Sequence, residues 1–89
     1  MYSQAICRVM EMEYRFDLLL SHTPEQIRQD PNLQQYHRDL IVYYDNGAWL
    51  SDYTLDEADA FPCWLKRGVL SQDGLYDLLC RLSSMQTTP

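Results

Sequence analysis

The chain is short of positive charge. Lys and Arg together number 7 against 13 Asp and Glu, a formal net charge of −6 over 89 residues and a pI near 4.5. A molecule this acidic is repelled by bare DNA, RNA and anionic lipid, so attachment to a phosphate backbone or a membrane surface through bulk charge is excluded. Glycine is scarce too, with residues at 47, 68 and 74 only, and no Gly-rich phosphate loop, nucleophile elbow or His-Glu-x-x-His is present. Long apolar runs are missing: the longest, residues 18–20 and 40–44, fall far below the ~20 residues needed to span a bilayer. Residues 1–10 have no basic segment leading into an apolar run, so no secretory leader is expected. The cysteines, Cys7, Cys63 and Cys80, are odd in number and never form Cys-x-x-Cys. That usage suits reduced thiols in the cytoplasm better than a disulfide framework. Nor is there a run of strand-type alternation, an internal repeat or a linker.

What is present reads as one small helical domain over residues 1–89. Apolar residues make up 46% and charged residues 22%, which is ordinary globular usage. Tyr2, Ala5, Val9, Met12, Phe16 and Leu19 recur at alternating spacings of three and four, the single stripe of an amphipathic helix, with Ile6 and Leu20 widening it. Such a stripe packs inside its own domain or pairs two copies as a homodimer. Thr23-Pro24-Glu25-Gln26 reads as a capping box with proline at the first helical position, and Asp30-Pro31 repeats the device. Leu33, Tyr36, Leu40 and Tyr43 then predict a second long helix that stops at Asp45-Asn46-Gly47. The stretch from Ala48 to Phe61 is less regular. One or two short helical turns are expected there, with Thr54-Leu55-Asp56-Glu57 as a further capping box. Ser71 is expected to cap the last helix, with Leu70 stapled against Leu75, and residues 83–89 to fray. The expected fold class is all-α: a long helical hairpin, an irregular aromatic segment and a C-terminal helix.

Catalytic and metal chemistry find little to work with. His22 and His37 lack helix-face spacing to a second ligand, and the acids at 52, 56, 57 and 59 lack the alternating pattern and central glycine of a calcium loop. His37-Arg38-Asp39 places a base and an acid on neighbouring positions of one helix, where they point apart, and His37 is read as a solvated or core-edge residue. No enzyme, cofactor or metal is expected.

Surface character carries more. Between Asp39 and Asp59 stand six acids (39, 45, 52, 56, 57, 59) and no Lys or Arg, so the whole net charge falls in this window beside Tyr43, Tyr44, Trp49 and Tyr53. Asp45, Trp49, Asp52, Tyr53, Asp56, Glu57 and Asp59 are therefore candidates for docking a protein partner with a basic surface, rings as anchors and carboxylates as steering charge. The competing reading makes the rings core and the acids its solvated edge. Lys66-Arg67 before a helix start could hold an anion at the free N–H groups, or clamp the acidic window to the last helix.

Two runs carry a resemblance. Tyr43-Tyr44-x-x-Gly47-x-Trp49-Leu50-x-Asp52-Tyr53, followed by Pro62-x-x-Leu65-Lys66-Arg67-Gly68-Val69-Leu70-Ser71-x-Asp73-Gly74-Leu75-Tyr76, resembles a family of small bacterial proteins carrying a domain of unknown function, over about residues 40 to 80. Cys63 and Trp64 depart from its plainer polar positions. The resemblance implies a bacterial origin and a shared turn architecture, and it brings no catalytic residues.

The functional expectation is a non-enzymatic acidic interaction protein that contacts neither nucleic acid nor membrane directly. Its alternatives are an inhibitor that mimics nucleic-acid charge towards a DNA- or RNA-binding protein, and a small anion- or metal-binding enzyme.

Overall fold

Each proline and cap of the N-terminal half does what its chemistry dictates. A computed structural model of the chain describes residues 3–71 and 73–86, with side chains through residue 82. The first stripe forms α1 (Ser3–Leu20), whose Ala5, Val9, Phe16 and Leu19 are buried, while Leu20 is exposed and Tyr2 lies outside the described residues. At α2 (Pro24–Gln29) the capping box closes in both directions: Gln26 N–H donates to Thr23 Oγ1 at 3.1 Å and Thr23 N–H to Gln26 Oε1 at 2.9 Å. Asp30 ends α2 and caps α3 (Pro31–Asp45), its Oδ1 accepting from Asn32 N at 2.9 Å.

α1 and α3 form the hairpin, running antiparallel. Arg15 Nε donates to Asp39 Oδ2 at 3.0 Å, and the rings of Tyr14 and Tyr36 meet edge to face with centroids 6.2 Å apart. α1 makes its most extensive contact with α3. Its apolar stripe is thereby used within the chain's own core. His37, read from sequence as solvated or core-edge, is buried on the inner side of α3.

The second half is more ordered than the sequence suggests. Gly47 adopts φ +92°, a left-handed conformation open to glycine without steric cost, and turns the chain. A regular helix, α4 (Ala48–Glu57), follows at once, with Asn46 Oδ1 accepting from Ala48 N at 2.9 Å. The expectation of one or two irregular turns is thus corrected to ten continuous helical residues. The periodicity was hidden because the fully buried position of α4 is an aspartate, Asp52. Thr54 lies inside this helix and donates to the Leu50 carbonyl at 2.9 Å, so it caps nothing.

After Phe61 and Leu65, both buried, residues Gly68–Leu70 form a 3-10 turn that touches α1, α4 and α5. α5 spans Gly74–Gln86. Asp77 N–H bonds the Asp73 carbonyl at 2.8 Å, so the helix starts two residues later than a Ser71 cap would place it. Leu70 and Leu75 are nonetheless both in the core. The helix also continues through residue 86, into the segment expected to fray; residues 87–89 lie outside the described residues. No strand occurs among the described residues, and the molecule measures 45 × 19 × 18 Å. The fold is all-α.

Candidate interaction face

Three acids of the 39–59 window are neutralised internally. The deepest is Asp52, with no exposed surface. Its Oδ1 accepts from Arg8 Nη2 at 2.5 Å, and its Oδ2 accepts from Arg8 Nε at 2.9 Å and Tyr43 Oη at 2.7 Å. A carboxylate buried this completely needs both a countercharge and hydrogen bonds to offset its lost hydration, and the guanidinium fork plus the phenol supply them. Burial pushes the Tyr43 phenol well above its ordinary range, and the hydrogen bond to Asp52 acts in the same direction. Asp52 therefore leaves the set of candidate docking residues: it is a tie between α1, α3 and α4. Asp39 pairs with Arg15, and Asp56 Oδ1 accepts from Arg67 Nη1 at 2.8 Å.

That last pair engages one of the two adjacent bases, Lys66-Arg67. Arg67 clamps the 3-10 turn to α4, half-buried at both ends of the bond. The turn's own donors are also occupied. Val69 N–H donates to Glu13 Oε1 at 2.7 Å, and the Gly68 N–H also bonds this carboxylate. Glu13 sits on the buried stripe of α1 and was not singled out by sequence. Burial raises its pKa against the lowering effect of those backbone hydrogen bonds. On the other side of the same residue, the Val69 carbonyl accepts from Trp49 Nε1 at 2.9 Å. Lys66 remains exposed and makes no ion pair among the described residues.

Four aromatics assemble into a continuous ladder. Trp49 and Tyr53, one helical turn apart on α4, stack with centroids 5.0 Å apart and planes 15° apart. Tyr44, at the end of α3, packs on Trp49 at 5.2 Å, and Tyr76 of α5 extends the series at 6.3 Å. Trp49, Tyr53 and Tyr44 are half-buried and Tyr76 is exposed, so the ladder is neither core nor free surface: one side packs inward and an edge stays accessible.

Carboxylates border it. Tyr53 Oη donates to Glu57 Oε1 at 2.8 Å, a bond that raises the phenol's pKa, and the negative charges of Asp56 and Asp73 act on it in the same sense. Tyr76 is raised first by a hydrogen bond with the Cys80 thiol, and the charge of Asp77 adds to this. Glu57, Asp73 and Asp77 are exposed and enter no ion pair among the described residues.

Of the sequence candidates, the structure brings Trp49, Tyr53 and Glu57 into one face, with Asp56 beside it but paired. Asp45 is exposed at the last position of α3, and Asp59 is exposed in the turn after α4 at φ +59°. Asp73, Tyr76 and Asp77 were missed because they lie outside the acidic window and reach the ladder only through the packing of α5. Tyr76 and Asp77 stand on the outward side of the Leu75–Leu78–Leu82 stripe, a signal that marks exposure but not neighbours.

No group of His, Cys, Asp and Glu side chains suited to a metal occurs among the described residues, and no helix is long and apolar enough to cross a membrane. Cys7, Cys63 and Cys80 are all exposed, unbridged thiols. Neither a curated protein nor a solved structure matches the chain. A family model does, over residues 7–87, which takes in the Arg8–Asp52 tie, the Glu13–Val69 bond and the whole ladder. The chain belongs to the family defined by the domain of unknown function DUF4298.

Proposed function

We propose that the protein is a non-enzymatic docking module that holds a basic segment of a partner protein across the Tyr53–Trp49–Tyr44–Tyr76 ladder. Glu57, Asp73 and Asp77 supply the steering charge. The observation that carries this reading is the ladder itself: four rings in continuous contact, edge-exposed, bordered by carboxylates that no internal cation neutralises. Rings fixed by one another lose little conformational freedom on binding, and aromatic anchors dominate interface energetics. Carboxylates around them favour Lys and Arg in the partner and raise the rate of encounter. The nucleic-acid-mimic alternative is weaker, since Asp39, Asp52 and Asp56 are paired with arginines and cannot imitate phosphates. The exposed, unpaired cysteines favour a reducing compartment, and we place the protein in the cytoplasm.

The test is affinity capture with purified protein, followed by a binding titration with the captured partner. The triple change Glu57→Lys, Asp73→Lys, Asp77→Lys and the double change Tyr53→Ala, Tyr76→Ala should each weaken binding by at least ~10-fold. Both leave the Arg8–Asp52 and Glu13–Val69 contacts in place, and circular dichroism checks that they fold. A partner that binds both variants as tightly as the parent overturns the proposal.

A further inference from the structure

A groove of about 280 Å³ opens between α1 and the loop before the 3-10 turn. Met10 and Tyr14, one helical turn apart on α1, form one wall and Trp64 the other. These three are 51%, 57% and 64% exposed. Tyr14 is braced from behind by the edge-to-face contact with Tyr36, whose own ring lies under the Arg15 guanidinium at 5.1 Å. Its ring is therefore held in position before anything binds.

The polar groups of the groove say what would fill it. Glu13 and Asp17, on the same side of α1, are countered by Lys66 alone. Asp17 is exposed and makes no ion pair among the described residues. A purely apolar side chain would desolvate the exposed Asp17 carboxylate without compensation, and an anion would be repelled by it. A long cation satisfies both kinds of lining: its aliphatic stem covers Met10 and Trp64, and its head meets ring faces and carboxylate together. Arginine suits this better than lysine, because a planar guanidinium stacks on an aromatic ring while its edge donates to a carboxylate.

We propose that this groove is a second docking site, taking an arginine side chain of a partner protein between Met10, Tyr14 and Trp64 with Asp17 as its ion-pair partner. Lys66 stands at the rim and opposes the incoming charge, so it tunes the affinity downward. The site is separate from the aromatic ladder. The two are linked through Val69, where Glu13 holds the N–H and Trp49 the carbonyl.

The experiment is an NMR titration of isotope-labelled protein with N-acetyl-arginine amide, with the capped lysine and norleucine derivatives as comparisons. The two tryptophans give two indole N–H signals, assigned with a Trp64→Phe variant. The Trp64 signal should shift saturably with the arginine derivative, less with lysine, and not with norleucine. Asp17→Asn should weaken binding about fivefold, and Lys66→Gln should strengthen it by a similar factor, as expected for exposed charge pairs. Equal titration by norleucine, or an Asp17→Asn variant that binds like the parent, overturns the site. Equal binding of lysine overturns the assignment to arginine. A ligand that shifts the Trp49 signal and leaves Trp64 unmoved places the binding at the ladder and also overturns it. Conversely, ladder variants that lose the partner should titrate at Trp64 unchanged, so the two sites fail separately. Asp17, Trp64 and Lys66 are exposed side chains, and the thermal midpoint checks that their variants fold.

Discussion

Glu13 and Val69, 56 residues apart in sequence, are joined by a 2.7 Å hydrogen bond from the Val69 amide to a buried carboxylate. Through it the Arg-Gly-Val-Leu-Ser run is held against α1 by a side chain capping a 3-10 turn from outside its own segment. Glu13→Ala would leave the buried Val69 N–H without its acceptor, at a cost of about 1–3 kcal/mol. Glu13→Gln keeps one acceptor oxygen and should lose less. Urea denaturation of the two variants measures the order; a Glu13→Ala protein as stable as the parent would show that the turn does not depend on this cap.

The Arg8–Asp52–Tyr43 network should be the most sensitive polar site in the chain. Asp52→Ala strands the guanidinium and phenol around a cavity, and breaking a buried pair from one side costs about 3–5 kcal/mol. Arg8→Ala should cost less, because the Arg8 side chain is 37% exposed and the Tyr43 hydroxyl still serves the carboxylate. Combined Arg8→Ala and Asp52→Ala should be less destabilising than the two single effects added together. Strict additivity in a double-mutant cycle would mean that the two residues do not act on each other.

Acid should destabilise the protein through His37 while Glu13 pulls the other way. Burial, aided by the Arg38 charge, lowers the His37 pKa, so the unfolded chain takes up its proton first. Its contribution is complete above the unfolded value of about 6.5 and is lost as the pH falls below it. Glu13 is raised by burial, so its contribution is complete below the unfolded carboxyl value and is lost as pH rises through the folded one. Replacing His37 with Gln should therefore flatten the fall in thermal midpoint below about pH 6.5, and Glu13→Gln should steepen the net acid loss. A His37→Gln protein with the parent's pH profile would assign the dependence elsewhere.

Gly74, the first residue of α5, permits a close approach that no other residue fits. A Cβ there would strike Ser71 Oγ and come within 3.3 Å of the Gly68 carbonyl and 3.4 Å of Phe16 Cζ. Gly74→Ala should destabilise by about 1–3 kcal/mol through overpacking, and adding Ser71→Ala should recover part of the loss. Denaturation midpoints of the single and double variants check this. A double variant no better than the single one would place the obstruction in the backbone instead of the serine.

Legibility from sequence followed hydrophobicity. The stripes of α1 and α3, the capping box at Thr23 and the N-cap at Asp30 could be read directly, because each depends on residues within one helical turn. α4 was read as irregular because its innermost residue is Asp52, and a hydrophobic pattern counts aspartate as surface. The acidic window merged two kinds of acid. Asp39, Asp52 and Asp56 face arginines, while Asp45, Glu57 and Asp59 face water, and spacing along the chain does not separate them. Of the two bases read together, Arg67 turned inward to Asp56 and Lys66 stayed at the rim of the groove.

The sequence by itself determined the helical class, the ends of the N-terminal helices, the core leucines and the region of excess negative charge. All of these follow from local backbone preference and from the free energy of burying apolar side chains. Only the tertiary structure decided which polar residues lie inside. A carboxylate can be buried only where a guanidinium or free amide N–H arrives to meet it, and for Asp52 and Glu13 those partners come from 44 and 56 residues away. The same packing carried Tyr76, Asp73 and Asp77 to the rings of α3 and α4. It made a face out of residues that share no run of sequence.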